Sequence, residues 1–346
     1  MSGVRGGLPD LPGVITADEV RASARSIAAL QLESGMIPWF VGGHCDPWNH
    51  VETAIALDVA GLHREAERAY QWLLDTQHAD GWWFNYYLPS GNVEEPKLDT
   101  NVCAYVAAGV WHHWLATGDR GFVEHMWPTV RRAIDWVLTM RRPNGTIRWA
   151  REEHASPWDY ALLTGSSSIW HSITCATHIA ALMHEPRPDW NDAADRLRLV
   201  IATDPSAFEP KARWAMDWYY PVLTNSLVGE QARARLAESW GTFAMEGRGI
   251  RCVSDEPWVT AAETAECSLA HVAVGNLTTA IDLLFWTRAH RNDDGSYWTG
   301  LVYPTMERFP NGERTAYTAA AVIMAADAID GGTEASRLFV PGITVD

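Results

Sequence analysis

Six stretches of this chain place carboxylates next to aromatic or amide side chains. They are Gly43-His44-Cys45-Asp46-Pro47-Trp48-Asn49-His50, Lys97-Leu98-Asp99-Thr100-Asn101, Pro157-Trp158-Asp159-Tyr160, Trp214-Ala215-Met216-Asp217-Trp218-Tyr219, the run from Trp258 through Glu263 to Glu266, and Asn311-Gly312-Glu313-Arg314. Cleaving a glycosidic bond takes one carboxyl to protonate the leaving oxygen and one carboxylate to activate water or attack. The apolar faces of sugar rings stack on indoles, so acids among tryptophans fit that chemistry. Asp46, with His44, Trp48, Asn49 and His50 around it, and Glu263, one turn before Glu266, are the preferred catalytic pair. Asp99 with Asn101, Asp159 with Trp158, and Asp217 with Trp218 are expected to bind substrate, as are Trp258 and Glu266. Trp39 and the loop Trp82-Trp83-Phe84-Asn85-Tyr86-Tyr87 supply Trp39, Trp82, Trp83 and Tyr86 as further cleft aromatics.

A plainer account exists for each acid taken singly. Asp is favoured at a helix N-cap and Pro at the next position, so Asp46-Pro47 could be a cap alone. Thr260-x-x-Glu263 likewise reads as a capping box. Capping does not ask for Trp48, Trp158, Trp218 and Trp258 at the same helix ends. It also leaves unexplained a composition in which 19 tryptophans outnumber 10 tyrosines and 8 phenylalanines.

Other chemistries lack their signatures. There is no His-Glu-x-x-His, no Cys-x-x-Cys pair and no His/Cys/Asp cluster at ligand spacing, so no metal or other cofactor is expected, and His112-His113 reads as packing. Gly165-Ser166-Ser167-Ser168 lacks the spacing of a nucleophile elbow, and no glycine loop for phosphate occurs. With 43 acidic against 27 basic residues, a net charge of -16 and no basic block, neither nucleic acid nor an anionic membrane surface is an expected partner. Met1 to Val20 lacks a basic start followed by an apolar run, and no stretch reaches eighteen apolar residues, so the chain reads as cytoplasmic. The five cysteines are odd in number and set among apolar neighbours, which suggests reduced, mostly buried thiols.

The elements that must position these acids repeat along the chain. A helix end, a polar-Gly turn and an aromatic recur at Gln31 to Gly35 with Trp39, Gln77 to Gly81 with Trp82 and Trp83, Arg141 to Gly145 with Trp149, and Arg291 to Gly295 with Trp298. Amphipathic helical spacing predicts outer helices over 17–33, 63–77, 121–141, 191–202, 230–240 and 277–290, the first behind a Thr16-x-x-Glu19 capping box. Helices apolar nearly all round are predicted over 47–60, 100–116, 159–183, 218–227, 261–274 and 313–328. Such helices must be covered on every side. Six alternating pairs predict an all-α fold, an (α/α)6 toroid of helical hairpins. It would form a single domain over 1–346 with a short N-terminal extension (1–15), and its acids would share one mouth at the inner-helix starts.

Gln77-x-x-Asp80-Gly81-x-Trp83 resembles the Gln-x-x-Asp-Gly-x-Trp repeat of terpene cyclases and prenyltransferase-type toroids, which implies a ring of helical hairpins. The chain departs from those enzymes in having no Asp-x-Asp-Asp, no Asp-Asp-x-x-Asp and no zinc-binding Asp-x-Cys pair. The whole layout is similar to the six-hairpin glycosidases. Within them, Phe40 to His50, Gln77 to Trp83 and Lys97 to Asn101 resemble an actinobacterial group often labelled prenyltransferase-like, which includes mycobacterial hydrolases of methylmannose polysaccharide. The resemblance implies an endo-acting mannosidase on cytoplasmic α-1,4-linked 3-O-methylmannose chains. By likeness to six-hairpin trehalases it further implies Asp46 as acid and Glu263 as base of an inverting reaction. The alternatives are a terpenoid or prenyl-transferring toroid and a carbohydrate-binding toroid without catalysis.

Overall fold

The computed structural model describes residues 7–340, so residues 1–6 of the expected N-terminal extension lie outside the described residues. Helix α1 (Ala17–Ala28) and helix α2 (Pro47–Val59) form the first outer and inner pair. Next come outer α3 (His63–Thr76) and an inner helix broken at Tyr105 into α4 (Thr100–Ala104) and α5 (Val106–Thr117). The third pair is α6 (Arg120–Thr139) with α7 (Leu163–Leu182), and the fourth is α8 (Pro188–Thr203) with α9 (Ala215–Leu223). The last two are α10 (Gly229–Phe243) with α11 (Ala261–Ala273), and α12 (Leu277–Trp286) with α13 (Ala316–Asp330).

The inner helices close on themselves. Helix α2 packs on α5, α5 on α7, α7 on α9, α9 on α11, α11 on α13, and α13 returns to α2. Their sequences explain the closeness: α13 reads Ala-Tyr-Thr-Ala-Ala-Ala-Val-Ile-Met-Ala-Ala, with almost every residue buried. Small side chains let helix axes approach, and burial on every side accounts for the missing polar face. The outer helices keep one wet face, and in α1 the Thr16/Glu19 capping box forms as the sequence predicts.

The turn repeat is the stitch between hairpins. Gln77 Nε2 donates to Gly81 O (3.0 Å) and across to Thr129 O of the next outer helix (2.9 Å), while Arg132 Nε donates back to Gln77 Oε1 (3.0 Å). Gln31 repeats the pattern, donating to Gly35 O (3.0 Å) and Glu65 O (2.8 Å). Gly81 has φ +105°, and a Cβ there would stand 2.2 Å from Arg132 O, so neither the angle nor the space admits a side chain. Gly295 seals the ring, packing so closely on α1 that a Cβ would meet the Ala22 carbonyl carbon at 2.5 Å.

Short strands, which the helical spacing did not predict, shape the mouth. β1 (Tyr86–Tyr87) pairs with β2 (Val93–Glu95), and β3 (Lys97–Asp99) with β4 (Ala150–Glu152), all antiparallel. The loops of the last hairpins form a meander of β5 (Ala244–Met245), β6 (Gly249–Arg251), β7 (Trp258–Thr260), β8 (Gly300–Val302) and β9 (Glu307–Phe309). All five cysteines are buried and unpaired.

Candidate active site

Asp46 caps α2. Its Oδ1 accepts from the Asn49 backbone N–H (2.9 Å), and its Oδ2 accepts from Asn49 Nδ2 and from Trp39 Nε1, each at 2.7 Å. Burial raises its pKa above the aspartate range, while the Asn49 and Trp39 donors pull it down. The capping function is therefore real, but it does not exhaust the residue. Trp39 lies edge-on to His44 (4.4 Å between ring centroids), Tyr86 (5.7 Å) and Tyr317 (5.0 Å), and His44 stacks on Tyr86 at 4.3 Å. His44 Nδ1 pairs with Glu94 Oε2 at 2.8 Å, which fixes the ring.

Two tyrosines tie Asp46 to its neighbours. The Tyr86 hydroxyl, raised first by burial, also feels the charges of Asp46, Glu95 and Asp99. Tyr317, at the start of α13, is raised by burial and then by the charges of Glu263 and, more weakly, Asp46, so both preferred acids act on it. Ala316 N–H donates to Trp39 O at 2.6 Å, holding α13 against the Trp39 loop.

Glu263 is half-buried in the first turn of α11, and burial raises its pKa. The expected capping box is absent: Thr260 makes no side-chain cap, and Thr264 Oγ1 bonds Thr260 O instead. The Thr260 hydroxyl and the Glu263 backbone N–H lie close enough to the Glu263 carboxyl to pull its pKa back down. One turn on, Glu266 accepts from the Tyr219 hydroxyl, and burial with the nearby charge of Glu263 lifts its pKa to about 8. Glu52, in the second turn of α2, is held well above the glutamate range by burial and then by the charges of Glu266 and Asp46. Trp48 lies edge-on to Tyr105 and Tyr220, each at 5.8 Å, and completes this floor.

Asp99 caps α4, accepting from the backbone N–H groups of Asn101 (2.9 Å) and Val102 (3.3 Å) and from Trp149 Nε1. Burial raises it to about 6 against the pull of Lys97. Pairing of β3 with β4 brings Trp149 over it, and Trp158 packs on Trp149 at 5.1 Å. Trp258 stacks on Phe309 at 4.5 Å on the five-stranded meander, and Asp217 leaves a buried Oδ1 without a partner. The Asn101 Oδ1 beside Asp99 is likewise buried and unpartnered. Carboxyls held out of water beside ring faces and open acceptors suit the recognition and cleavage of a sugar chain.

The chain is 51% identical over 332 residues, 96% of its own length and 92% of the relative's, to MMP endo-(1,4)-3-O-methyl-alpha-D-mannosidase of Mycolicibacterium hassiacum. It belongs to that family of glycoside hydrolases. No family model matches it. Its fold is similar to a solved wild-type glycosidase (TM-score 0.72, 15% identity, 94% of this chain and 97% of the other). It is also similar to cellobiose 2-epimerase from Spirochaeta thermophila (TM-score 0.70, 13% identity, 91% and 96%).

Not every residue expected in the glycoside hydrolase's cleft stands there. His50 is 1% exposed, with Nδ1 accepting from Ile37 N–H and Nε2 facing Ala69 O, so it is a satisfied core residue. Trp83 donates to Leu73 O, Trp82 stacks on His78, and Trp218 donates to Arg235 O against Trp240 and Phe243; all three fill the space between inner and outer helices. Asp159 does not start an inner helix: α7 begins at Leu163, and Asp159 is exposed, paired with Arg148 (3.3 Å) and Arg142 (3.5 Å). Glu313 likewise precedes α13, which starts at Ala316. Sequence reasoning missed Glu52, Tyr105, Tyr219, Tyr220 and Tyr317. For Glu52 a signal existed: it is a carboxylate in mid-helix where no face is polar.

Proposed function

We propose that this glycoside hydrolase cuts internal α-1,4 bonds of a 3-O-methylmannose polysaccharide in the cytoplasm of an actinobacterium, with Asp46 as acid and Glu263 as base. The observation that carries the reading is the 51% identity to an enzyme named for that bond, spread over nearly the whole of both chains. The hydrogen bonds of Asp46 support its role. Two donors converge on Oδ2, as on a carbonyl oxygen, and Oδ1 takes only one backbone N–H, so Oδ1 is the oxygen able to carry a proton toward the glycosidic oxygen. Glu263, in the first turn of α11, would take a proton from water as the water attacks the anomeric carbon. The bond to the leaving oxygen breaks as that oxygen receives the Asp46 proton, so configuration inverts. Methyl groups enlarge the apolar face of each sugar, which suits walls built from Trp39, Trp149, Trp158 and Trp258. The count of 25 arginines to 2 lysines fits a GC-rich genome, and no helix among the described residues is long and apolar enough to cross a membrane.

The test is product analysis after incubation with 3-O-methylmannose polysaccharide and with unmethylated α-mannan. Shorter oligosaccharides from the wild type alone, with Asp46→Asn and Glu263→Gln inactive, are expected. Intact methylated polymer, or equal turnover by Asp46→Asn, overturns the substrate or the acid respectively.

A further inference from the structure

The mouth uses only part of the tryptophan excess, and two of the remaining indoles line one groove on the outer wall. Trp240 of α10 and Trp286 of α12 line opposite sides of a 600 Å³ groove between these outer helices, with the end of α11 as its floor. Both are partly exposed, unlike Trp127 and Trp190, which bury themselves where outer helices touch. The floor residue is His271, near the C-terminus of α11 and so at the opposite end of the ring from the mouth.

His271 is 6% exposed, and its Nε2 has no hydrogen-bond partner. Its proton can be located. Asn276 caps α12, its Oδ1 accepting from Thr279 N–H at 3.4 Å, which turns its amide NH2 toward His271 Nδ1 at 3.3 Å. A ring that accepts at Nδ1 carries its hydrogen on Nε2. Burial brings the His271 pKa down to about 4, so the ring is neutral near pH 7 and its spare group is a donor. Trp240 lies edge-on to the same ring at 5.4 Å, and Arg233 and Asp282 stand exposed on facing rims. A buried orphan donor costs free energy unless something accepts from it.

We infer that this groove is a second, non-catalytic binding site for a neutral sugar chain, with Trp240 and Trp286 taking the apolar ring faces and His271 donating to a sugar oxygen. Arg233 and Asp282 supply the donors and acceptors that adjacent hydroxyls need. The volume falls within the range of small-ligand pockets, about 300–1,000 Å³, and holds a short stretch of chain rather than a whole polymer. The identity of that chain rests on the function proposed above. A wall site would anchor one part of a polymer while another lies in the mouth, and so raise the local concentration of cleavable bonds.

The experiment titrates a 3-O-methylmannose oligosaccharide into the Asp46→Asn protein by calorimetry, with and without Trp286→Ala or His271→Ala. Two sites per chain in Asp46→Asn, falling to one with either further change, are expected. In otherwise wild-type protein, Trp286→Ala should raise KM for the long polymer several-fold and leave kcat on short oligosaccharides unchanged. One site per chain that survives both wall changes overturns the inference. Hydrolysis of the polymer by wild type separates the cases: cleavage with a single binding site sinks the wall site alone. Wall-dependent binding without cleavage sinks the catalytic reading alone. Trp286 is half-exposed, so its loss should leave the thermal midpoint close to wild type, and His271→Ala gives a second route if it does not.

Discussion

Trp39 Nε1 donates to Asp46 Oδ2 at 2.7 Å, so an indole proposed to stack on the sugar also lowers the proton affinity of the carboxyl proposed as acid. The bond favours the carboxylate and opposes the upward pull of burial. Trp39→Phe keeps an aromatic wall and removes only the donor, which lets the Asp46 pKa rise. A hydrogen bond to a charged group is worth about 1.5–3 kcal/mol, and 1.36 kcal/mol corresponds to one pH unit. The alkaline limb of kcat/KM, which reports loss of the acid's proton, should therefore move up by about one pH unit. A limb that stays in place while KM rises would reduce Trp39 to a stacking residue.

Glu52 and Glu266 are both buried and feel each other's charge, and among the described residues neither forms a salt bridge. For Glu266 the sign is clear: its folded pKa, about 8, stands above the ordinary 4.5, so the folded state holds a proton that the unfolded state loses. Its contribution is fully present below pH 4.5 and is lost as pH rises toward 8. Glu266→Gln stays neutral throughout. Relative to wild type it should gain stability between pH 5 and 8 by more than about 1.4 kcal/mol, the equivalent of one pH unit. Denaturant curves at several pH values check this, and parallel pH dependence in the two proteins would contradict it.

The ring was legible because its determinants are periodic. Apolar residues without a polar face give inner helices, amphipathic ones give outer helices, and the Gln31 and Gln77 turns mark the joints. Asp46 and Asp99 were legible because an N-cap at the start of an inner helix must lie at the mouth. What failed was the assignment of side-chain direction. Trp82 and Trp83 follow a loop that turns inward between helices, and Trp218 lies on the face of α9 toward α10. A tryptophan in a mouth sequence carries no sign of which way it points. Asp159 failed because α7 starts four residues later than its aromatic leader suggests, and Tyr317 was passed over because the start of α13 was sought at Glu313. The strands escaped notice since runs of two or three residues carry no alternation to read.

Asp58 anchors the closed end of the ring. It accepts from His113 Nδ1 at 2.9 Å and from His63 Nδ1 at 3.0 Å, with His112 at 4.0 Å. Burial alone would raise its pKa, but the His113 and His63 hydrogen bonds outweigh it and hold the carboxyl below the aspartate range. Its stabilising contribution is therefore present above about pH 3.9 and is lost as pH falls through the lowered value. Asp58→Asn should cost about 1–3 kcal/mol at pH 7 by weakening the buried hydrogen bonds from His113 and His63. The gap to wild type should narrow below pH 4. A loss under 1 kcal/mol at pH 7 would mean that the histidines find other acceptors.

Gln77 distinguishes a stitch from a catalytic motif. Its repeat resembles that of terpene cyclases, yet each polar atom of its side chain is spent on neighbouring backbone or on Arg132, and none faces the mouth. Gln77→Ala leaves two carbonyls and a guanidinium without their partner. At about 1 kcal/mol for each hydrogen bond lost, the expected destabilisation is roughly 2–4 kcal/mol. The same variant, assayed well below its melting point, should keep the wild-type kcat and pH profile, because α2 and α11, which carry Asp46, Glu52, Glu263 and Glu266, do not touch it. A fall in kcat at full folding would place Gln77 in communication with the cleft and assign the repeat a part in the chemistry.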